Sequence, residues 1–267
     1  MKLEARALVR TFPDGSRGLV GTDLRVETPC FTVLSGPNGC GKSLLARHFL
    51  GLERPDTGQV LLDGRPLGTC LAEARRRIAL VFQEPEHQIL GVTVREDVEF
   101  GPRAAGLPRE QYAARTATAL ERAGLAGFEN RLASALSGGE KRRLAVASSI
   151  VSDPELVILD EPFNDLDWQG ASDLIDVLLA LRAAGTGILV LTHDLEKCLA
   201  HADRLVVMDQ GKIVRDGTPT GLWDELPALG LRRLSGGCDQ LARMTWSRSA
   251  IEDIDEGEFG EPECSWL

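Results

Sequence analysis

Two short runs in this chain carry side chains suited to handling a triphosphate. The first is Gly36-Pro37-Asn38-Gly39-Cys40-Gly41-Lys42-Ser43, which fits the phosphate-loop pattern G-x-x-x-x-G-K-[ST]. Its glycines let the backbone wrap closely and aim several N–H groups at phosphate oxygens. A helix starting at its end adds a favourable dipole. In that setting Lys42 is expected to reach the β- and γ-phosphates, and the Ser43 hydroxyl to bind Mg2+. The second run is Leu156-Val157-Ile158-Leu159-Asp160-Glu161. Four apolar residues predict a buried strand, and two adjacent carboxylates at its end are costly there unless something partners them. Asp160 is a candidate for the same Mg2+, and Glu161 for the general base on an attacking water. Together the two runs predict a nucleoside triphosphatase without saying which kind.

The elements that must position these groups are legible in outline. Residues 31–34 form a compact apolar strand running into the Gly-rich loop, and Leu44, Leu45, Phe49 and Leu50 continue as a helix. Apolar runs recur at 60–62, 78–82, 156–159, 188–191 and 205–208. Their lack of alternation predicts strands buried on both faces of a parallel sheet. The first 35 residues read as β, with a turn at Pro13-Asp14-Gly15-Ser16, and Gln210-Gly211 predicts an edge hairpin into 212–215. From Gln83 to Asp153 the pattern is helical: Tyr112, Ala113, Thr116, Ala119 and Leu120 recur at helix spacing, and Gly124 stands where a C-terminal cap belongs. Beyond Gly217 only a short amphipathic stretch, 222–234, is evident.

Composition bounds the rest. At 267 residues, with 43% apolar and 26% charged residues, the chain is an ordinary globular one. Of its 40 acids, seven lie in 251–267, which holds no Lys or Arg, so 1–250 carries 30 basic against 33 acidic residues. A body this near to neutral does not provide the field that a nucleic-acid partner requires, and 251–267 reads as a solvated acidic extension. The basic runs Arg75, Arg76, Arg77 and Lys141, Arg142, Arg143 read as solvated helix faces. Six scattered cysteines without a C-x-x-C pair argue against a disulfide framework or zinc site and fit a reducing cytosol. The start, MKLEARALVR, lacks the apolar core of a signal peptide. No apolar run approaches the ~18 residues of a membrane span.

Leu136-Ser137-Gly138-Gly139-Glu140 lies about twenty residues before the Asp160-Glu161 strand end. In that place it resembles the signature motif of ATP-binding cassette (ABC) proteins, and other family motifs follow in order. Gln83 is similar to the Q-loop glutamine, Asn164-Asp165-Leu166-Asp167 to the D-loop, His193 to the switch histidine, and Phe12 to the aromatic residue that stacks on adenine. The resemblance covers about 3–217. It implies an α/β P-loop NTPase: a RecA-like core, an antiparallel β subdomain and an inserted helical subdomain (about 84–153), with 218–250 a short extension. It implies ATP and Mg2+ as ligands, with Ser43, Gln83 and Asp160 at the metal and Lys42, Gln83, Glu161 and His193 in catalysis. It also implies that the signature acts on ATP held by a second cassette, identical or paralogous, because a capped Ser137-Gly138-Gly139 helix start attracts a phosphate. Glu140 departs from the more usual Gln, Asp165 from a small residue, and Cys40 is either a small residue turned away or a redox-sensitive thiol. A second string, Leu234-Ser235-Gly236-Gly237, follows every other motif and reads as a helix-ending turn.

The segment Gln83-Glu84-Pro85-Glu86-His87-Gln88-Ile89-Leu90 is similar to the ATPases of energy-coupling-factor importers, which take up cobalt, nickel or vitamins. The resemblance implies that Glu86, His87, Gln88, Ile89 and Leu90 meet a transmembrane scaffold, with a substrate-binding membrane subunit beside it, at the cytoplasmic face of the membrane. Alternatives from the same motifs are the ATPase of another ABC transporter class and a soluble ABC ATPase of cofactor assembly. A nucleotide-gated switch without hydrolysis is disfavoured, because Lys42, Asp160, Glu161 and His193 are all present.

Overall fold

The computed structural model describes residues 1–247 except Arg233 and Ser235. The acidic 251–267 extension and Cys264 lie outside the described residues. Among the described residues ten strands make two sheets. The larger has the order β10 (Lys212–Gly217), β9 (Arg204–Asp209), β3 (Phe31–Ser35), β8 (Gly187–Thr192), β7 (Leu156–Asp160), β6 (Ile78–Val81). Its pairs are parallel except β9 with β10. Alternate residues of each parallel strand feed two cores. Val157 and Leu159 pack towards helices α5 (Gly138–Ile150) and α6 (Trp168–Ala183), while Leu156 and Ile158 face the other sheet. Both faces are therefore dry, which explains the unalternated apolar runs.

The smaller sheet is antiparallel, ordered β2 (Arg17–Glu27), β1 (Lys2–Thr11), β4 (Thr57–Leu62), β5 (Arg65–Pro66). It corrects one expectation. The apolar run 60–62 belongs to β4 and pairs antiparallel with β1, Leu3 opposite Leu62. Val60, Leu61 and Leu62 are all buried because this end of the sheet is covered on both sides. An apolar run reports dryness on two faces, not the direction of the neighbouring strand.

Helices α3 (Val94–Ala104), α4 (Arg109–Arg122) and α5 stand between β6 and β7 in the chain. Thr93 and Glu96 form a capping box at the start of α3, as Ser137 and Glu140 do for α5. Gly124 follows α4 in the left-handed region, φ 64°, where a side chain would be strained. The β9–β10 turn has positive φ at both Gln210 and Gly211, as a two-residue hairpin of the favoured twist demands. After β10, α7 (Pro219–Leu222) and a 3-10 segment, Trp223–Leu229, end at Gly230, again left-handed. The described residues Gly236 and Gly237 thus do not end a helix. They lead into a second 3-10 segment, Cys238–Arg243.

The basic runs are not simply solvated. The Arg77 guanidinium pairs with Asp63, Glu73 and Glu155, and Arg142 is only 4% exposed. Among the described residues no helix is long and apolar enough to cross a membrane.

Candidate active site

Parallel strands deliver their loops at one edge, and ligands in such sheets sit there. Here β3 delivers the Gly-rich loop, β7 delivers Asp160 and Glu161, β8 delivers Thr192 and His193, and β6 delivers Phe82 and Gln83. Between them lies a cavity of about 490 Å³. Asn38, Gly39, Gly41, Lys42 and Ser43 form its floor, Gln83, Glu161 and His193 its side, and Phe12 its outer wall.

The loop geometry depends on glycine. Gly36 has φ 153°, and a Cβ there would fall 2.0 Å from the Met208 carbonyl oxygen. Gly41, φ 111°, is the N-cap of α1 (Lys42–Phe49) and lies against the Gly18 carbonyl. Lys42 is buried, and its ammonium donates to the carbonyls of Gly36 (2.7 Å) and Pro37 (3.2 Å), with Glu161 Oε1 at 3.8 Å. A cation folded onto its own loop in this way is poised to exchange weak carbonyl acceptors for a phosphate anion. Cys40 packs in the apolar core against Gly36 rather than into the cavity, and burial pushes its thiol pKa up.

Asp160 and Glu161 do different work. Asp160 Oδ1 is buried with no hydrogen-bond partner, and burial raises its pKa against a hydrogen bond from Ser43 that lowers it. An unmet carboxylate oxygen beside a hydroxyl is a hard-oxygen pair that fits a divalent cation such as Mg2+, which takes few protein ligands and completes its shell with water and phosphate. Among the described residues there is no cluster of three or more His, Cys, Asp or Glu arranged to hold a metal unaided. Glu161 is 6% exposed and adopts φ 45°, a strained value for a side-chain-bearing residue. Its Oε2 accepts from Thr192 Oγ1 (3.0 Å). Its Oε1 accepts from the His193 N–H (3.2 Å) and lies 3.0 Å from His193 Nδ1.

Phe12 is 40% exposed at the cavity mouth. A Cβ at Gly18 would meet Leu44 Cδ2 at 2.3 Å and Phe12 Cε2 at 2.8 Å, so Gly18 makes room for the ring. Leu136, Ser137, Gly138, Gly139 and Glu140 do not line this cavity. Ser137 Oγ accepts from the Glu140 N–H and Glu140 Oε2 from the Ser137 N–H, a closed capping box at the start of α5. Asn164 reaches the cavity, Asp165 is left-handed at φ 60°, Leu166 packs against the core, and Asp167 caps α6 by accepting from Gly170. The 84–90 segment divides. Glu86 and His87 are exposed and Leu90 is 64% exposed, whereas Gln88 turns inward to Phe82 and Ser149 and Ile89 packs on the core.

Sequence reasoning missed Thr192, Arg47, Glu53 and Asn164 as cavity or carboxylate neighbours. Thr192 could have been suspected as a hydroxyl ending an otherwise apolar strand next to His193. Arg47 lies one turn beyond Ser43 on α1, whereas Glu53 carries no local signal and is held beside β1 by its pair with Arg10.

An ABC transporter family model matches residues 19–164. The chain belongs to this family, and it is an ATP-binding protein whose ATPase activity is coupled to transport. Within the family it is 40% identical to an energy-coupling factor transporter ATP-binding protein, EcfA, of Methanocaldococcus jannaschii, over 85% of this chain and 82% of that one. It is 38% identical to the protein of the same name in Methanothermobacter thermautotrophicus, over 91% and 79% of the two chains. The solved structure of CbiO1 from Clostridium perfringens, described as part of the ABC transporter complex CbiONQ, superposes with a TM-score of 0.77 at 31% identity, covering 84% of this chain and 90% of that one.

Proposed function

We propose that this chain is the ATP-hydrolysing subunit of an energy-coupling-factor type importer for a metal ion or vitamin. It works at the cytoplasmic face of the membrane with a transmembrane scaffold and a substrate-binding membrane subunit. Residues 1–217 form the cassette, 84–153 its helical part, and 218–250 a short extension. Two cassettes, identical or paralogous, share two ATP sites.

The carrying observation is the carboxylate of Glu161, held by Thr192 and His193 beside Lys42 and the phosphate loop. Phe12 stacks on the base, the loop N–H groups and Lys42 bind the phosphates, and Ser43, Asp160 and Gln83 hold Mg2+. Held there, Mg2+ would supply charge neutralisation to the triphosphate. Glu161 accepts the proton of the attacking water. His193 orients Glu161 and the terminal phosphate. Gly138 and Gly139, at the helix start capped by Ser137, present their N–H groups to the ATP of the partner cassette. This explains why the signature stands apart from its own cavity. D-loop residues Asp165, Leu166 and Asp167 lie at the junction. Glu86, His87 and Leu90, flanked by the 69% exposed Val92, form the surface for the scaffold, Gln88 and Ile89 supporting it from within.

The test is purification from detergent with the neighbouring membrane proteins, followed by turnover in vesicles. ATP hydrolysis that requires the membrane partner supports the proposal, as does trapping of a closed ATP-bound dimer by Glu161→Gln. A soluble partner in place of a membrane one would favour a cofactor-assembly ATPase. Undiminished hydrolysis by an isolated monomer would end the shared-site model.

A further inference from the structure

Arg142 is a buried cation that the nucleotide chemistry does not use. It lies in the first turns of α5, beyond the capping box, and is 4% exposed. Among the described residues it makes no ion pair. Its Nη1 donates to the carbonyl of Phe82 (3.1 Å) and to that of Gln83, while its Nε is buried without a partner. A guanidinium stripped of water costs several kcal/mol unless its donors are met. Here the carbonyls of Phe82 and Gln83 meet Nη1, and they are its partners among the described residues. Burial accordingly lowers the Arg142 pKa from its ordinary value.

The same two-residue stretch is tied to α5 once more through Gln88, and the loop that follows it is tied through Glu86. Gln88 Oε1 accepts from the Phe82 N–H at 3.1 Å, while its Nε2 donates to Ser149 Oγ at 2.9 Å. Lys141, next to Arg142, pairs with Glu86 at 3.1 Å. Phe82 is itself 38% exposed, so little apolar packing holds this backbone in place. Hydrogen bonds from α5 must do so. Gln83 lines the cavity, so a backbone shift at 82–83 carries its side chain off the site. Arg143, by contrast, is paired with Asp173 at 2.9 Å and points to α6.

We propose that Arg142 is a positioning residue: by saturating the Phe82 and Gln83 carbonyls it sets the place of Gln83 in the active site. This rests on the proposed role of Gln83 at the nucleotide.

The experiment uses the full-length chain in the assembled transporter complex and compares Arg142→Met, Arg142→Lys, Gln83→Ala and the double variant Arg142→Met/Gln83→Ala. Arg142→Met keeps the apolar stem and removes the charge. The expected result is a fall in kcat on the order of 10- to 100-fold, as for a misplaced catalytic group, with KM for ATP within about twofold of wild type. Arg142→Lys, which keeps the charge and offers an ammonium donor to the same carbonyls, recovers most of the rate. The double variant is no slower than the worse single one, because both remove the same placement. Amide hydrogen exchange at 82–88 rises in Arg142→Met while the amides of α6 keep their protection. Wild-type kcat in Arg142→Met, or additive losses in the double variant, overturns the inference. So does a loss that spreads to global stability and is not recovered by Lys. Full turnover in Gln83→Ala would remove the nucleotide role of Gln83 and this inference with it. Unchanged exchange at 82–88 with Gln83→Ala still slow would sink the Arg142 inference alone.

Discussion

Glu161 and His193 hold one another at the ends of neighbouring strands: the glutamate Oε1 sits 3.0 Å from the ring Nδ1 and accepts from the backbone N–H at 3.2 Å. With Thr192 on Oε2, each carboxylate oxygen is engaged, and the rotamer of Glu161 is specified without any ligand. The contact also favours a His193 ring that carries a proton on Nδ1 and donates it to Glu161.

The first expectation concerns that carboxylate. Glu161→Gln should lower kcat by about 10²- to 10⁴-fold, the usual range for a general base, while ATP affinity persists. Thr192→Val keeps the shape and removes the donor. It should lower kcat with little change in KM, because it frees the base without touching the phosphate loop. Steady-state kinetics on both variants decides. A KM effect alone in Thr192→Val would assign the threonine to binding.

Asp160 gives a metal-removal test. Its unmet oxygen means that a divalent cation should stabilise the ATP-bound fold through linkage. Thermal unfolding with ATP should show Tm falling when EDTA replaces Mg2+, and Asp160→Asn should abolish that difference. An Asn variant as sensitive to EDTA as wild type would place the cation elsewhere.

Gly18 and Phe12 predict a steric effect on the base side of the pocket. Gly18→Ala puts a methyl within 3 Å of both Phe12 and Leu44, so the ring must move. Phe12→Ala removes it altogether. Both should raise KM for ATP, Phe12→Ala by roughly 1–3 kcal/mol of lost stacking, with kcat nearly preserved. Titration with a fluorescent ATP analogue would measure it.

Cys40 should be a poor nucleophile despite standing in the phosphate loop. Its side chain is in the core and its thiol pKa is raised, so little thiolate exists near neutral pH. Native protein should react with a thiol reagent far more slowly at Cys40 than denatured protein does, and mass spectrometry of the loop peptide reads this directly. Fast labelling would revive the redox-sensitive alternative.

The C-terminal end of the described chain predicts a pH effect on stability. His201 Nε2 meets Thr245 Oγ1 at 3.0 Å, Ser247 Oγ donates to Asp176 at 2.6 Å, and Lys197 lies over the Trp246 ring while donating to the Phe163 carbonyl. Burial lowers the His201 pKa, with Arg182 acting in the same direction and Asp176 opposing. The unfolded state then binds the extra proton more readily. The stability contributed by neutral His201 is whole above the unfolded value of about 6.5 and is lost as pH falls below it. Urea unfolding between pH 7.5 and 5.5 should show this loss, and His201→Gln should flatten it.

The amino-acid sequence by itself pointed to the chemistry through a phosphate loop, a carboxylate pair at a strand end and a capped helix start, while the part given to His193 came from the family resemblance. Each of the three runs is carried by contiguous residues whose backbone form follows from local rules, so residue type and spacing suffice. It could not decide that 60–62 joins the antiparallel sheet, that Gln88 turns inward, that Thr192 grips Glu161, or that Arg142 is buried against Phe82 and Gln83. Those facts join residues far apart in the chain, 31 positions for Thr192 and Glu161 and 59 for Arg142 and Gln83. An arginine on a helix reads the same whether water or a carbonyl awaits it. Only the packing of α5 against the end of β6 determines which one it meets.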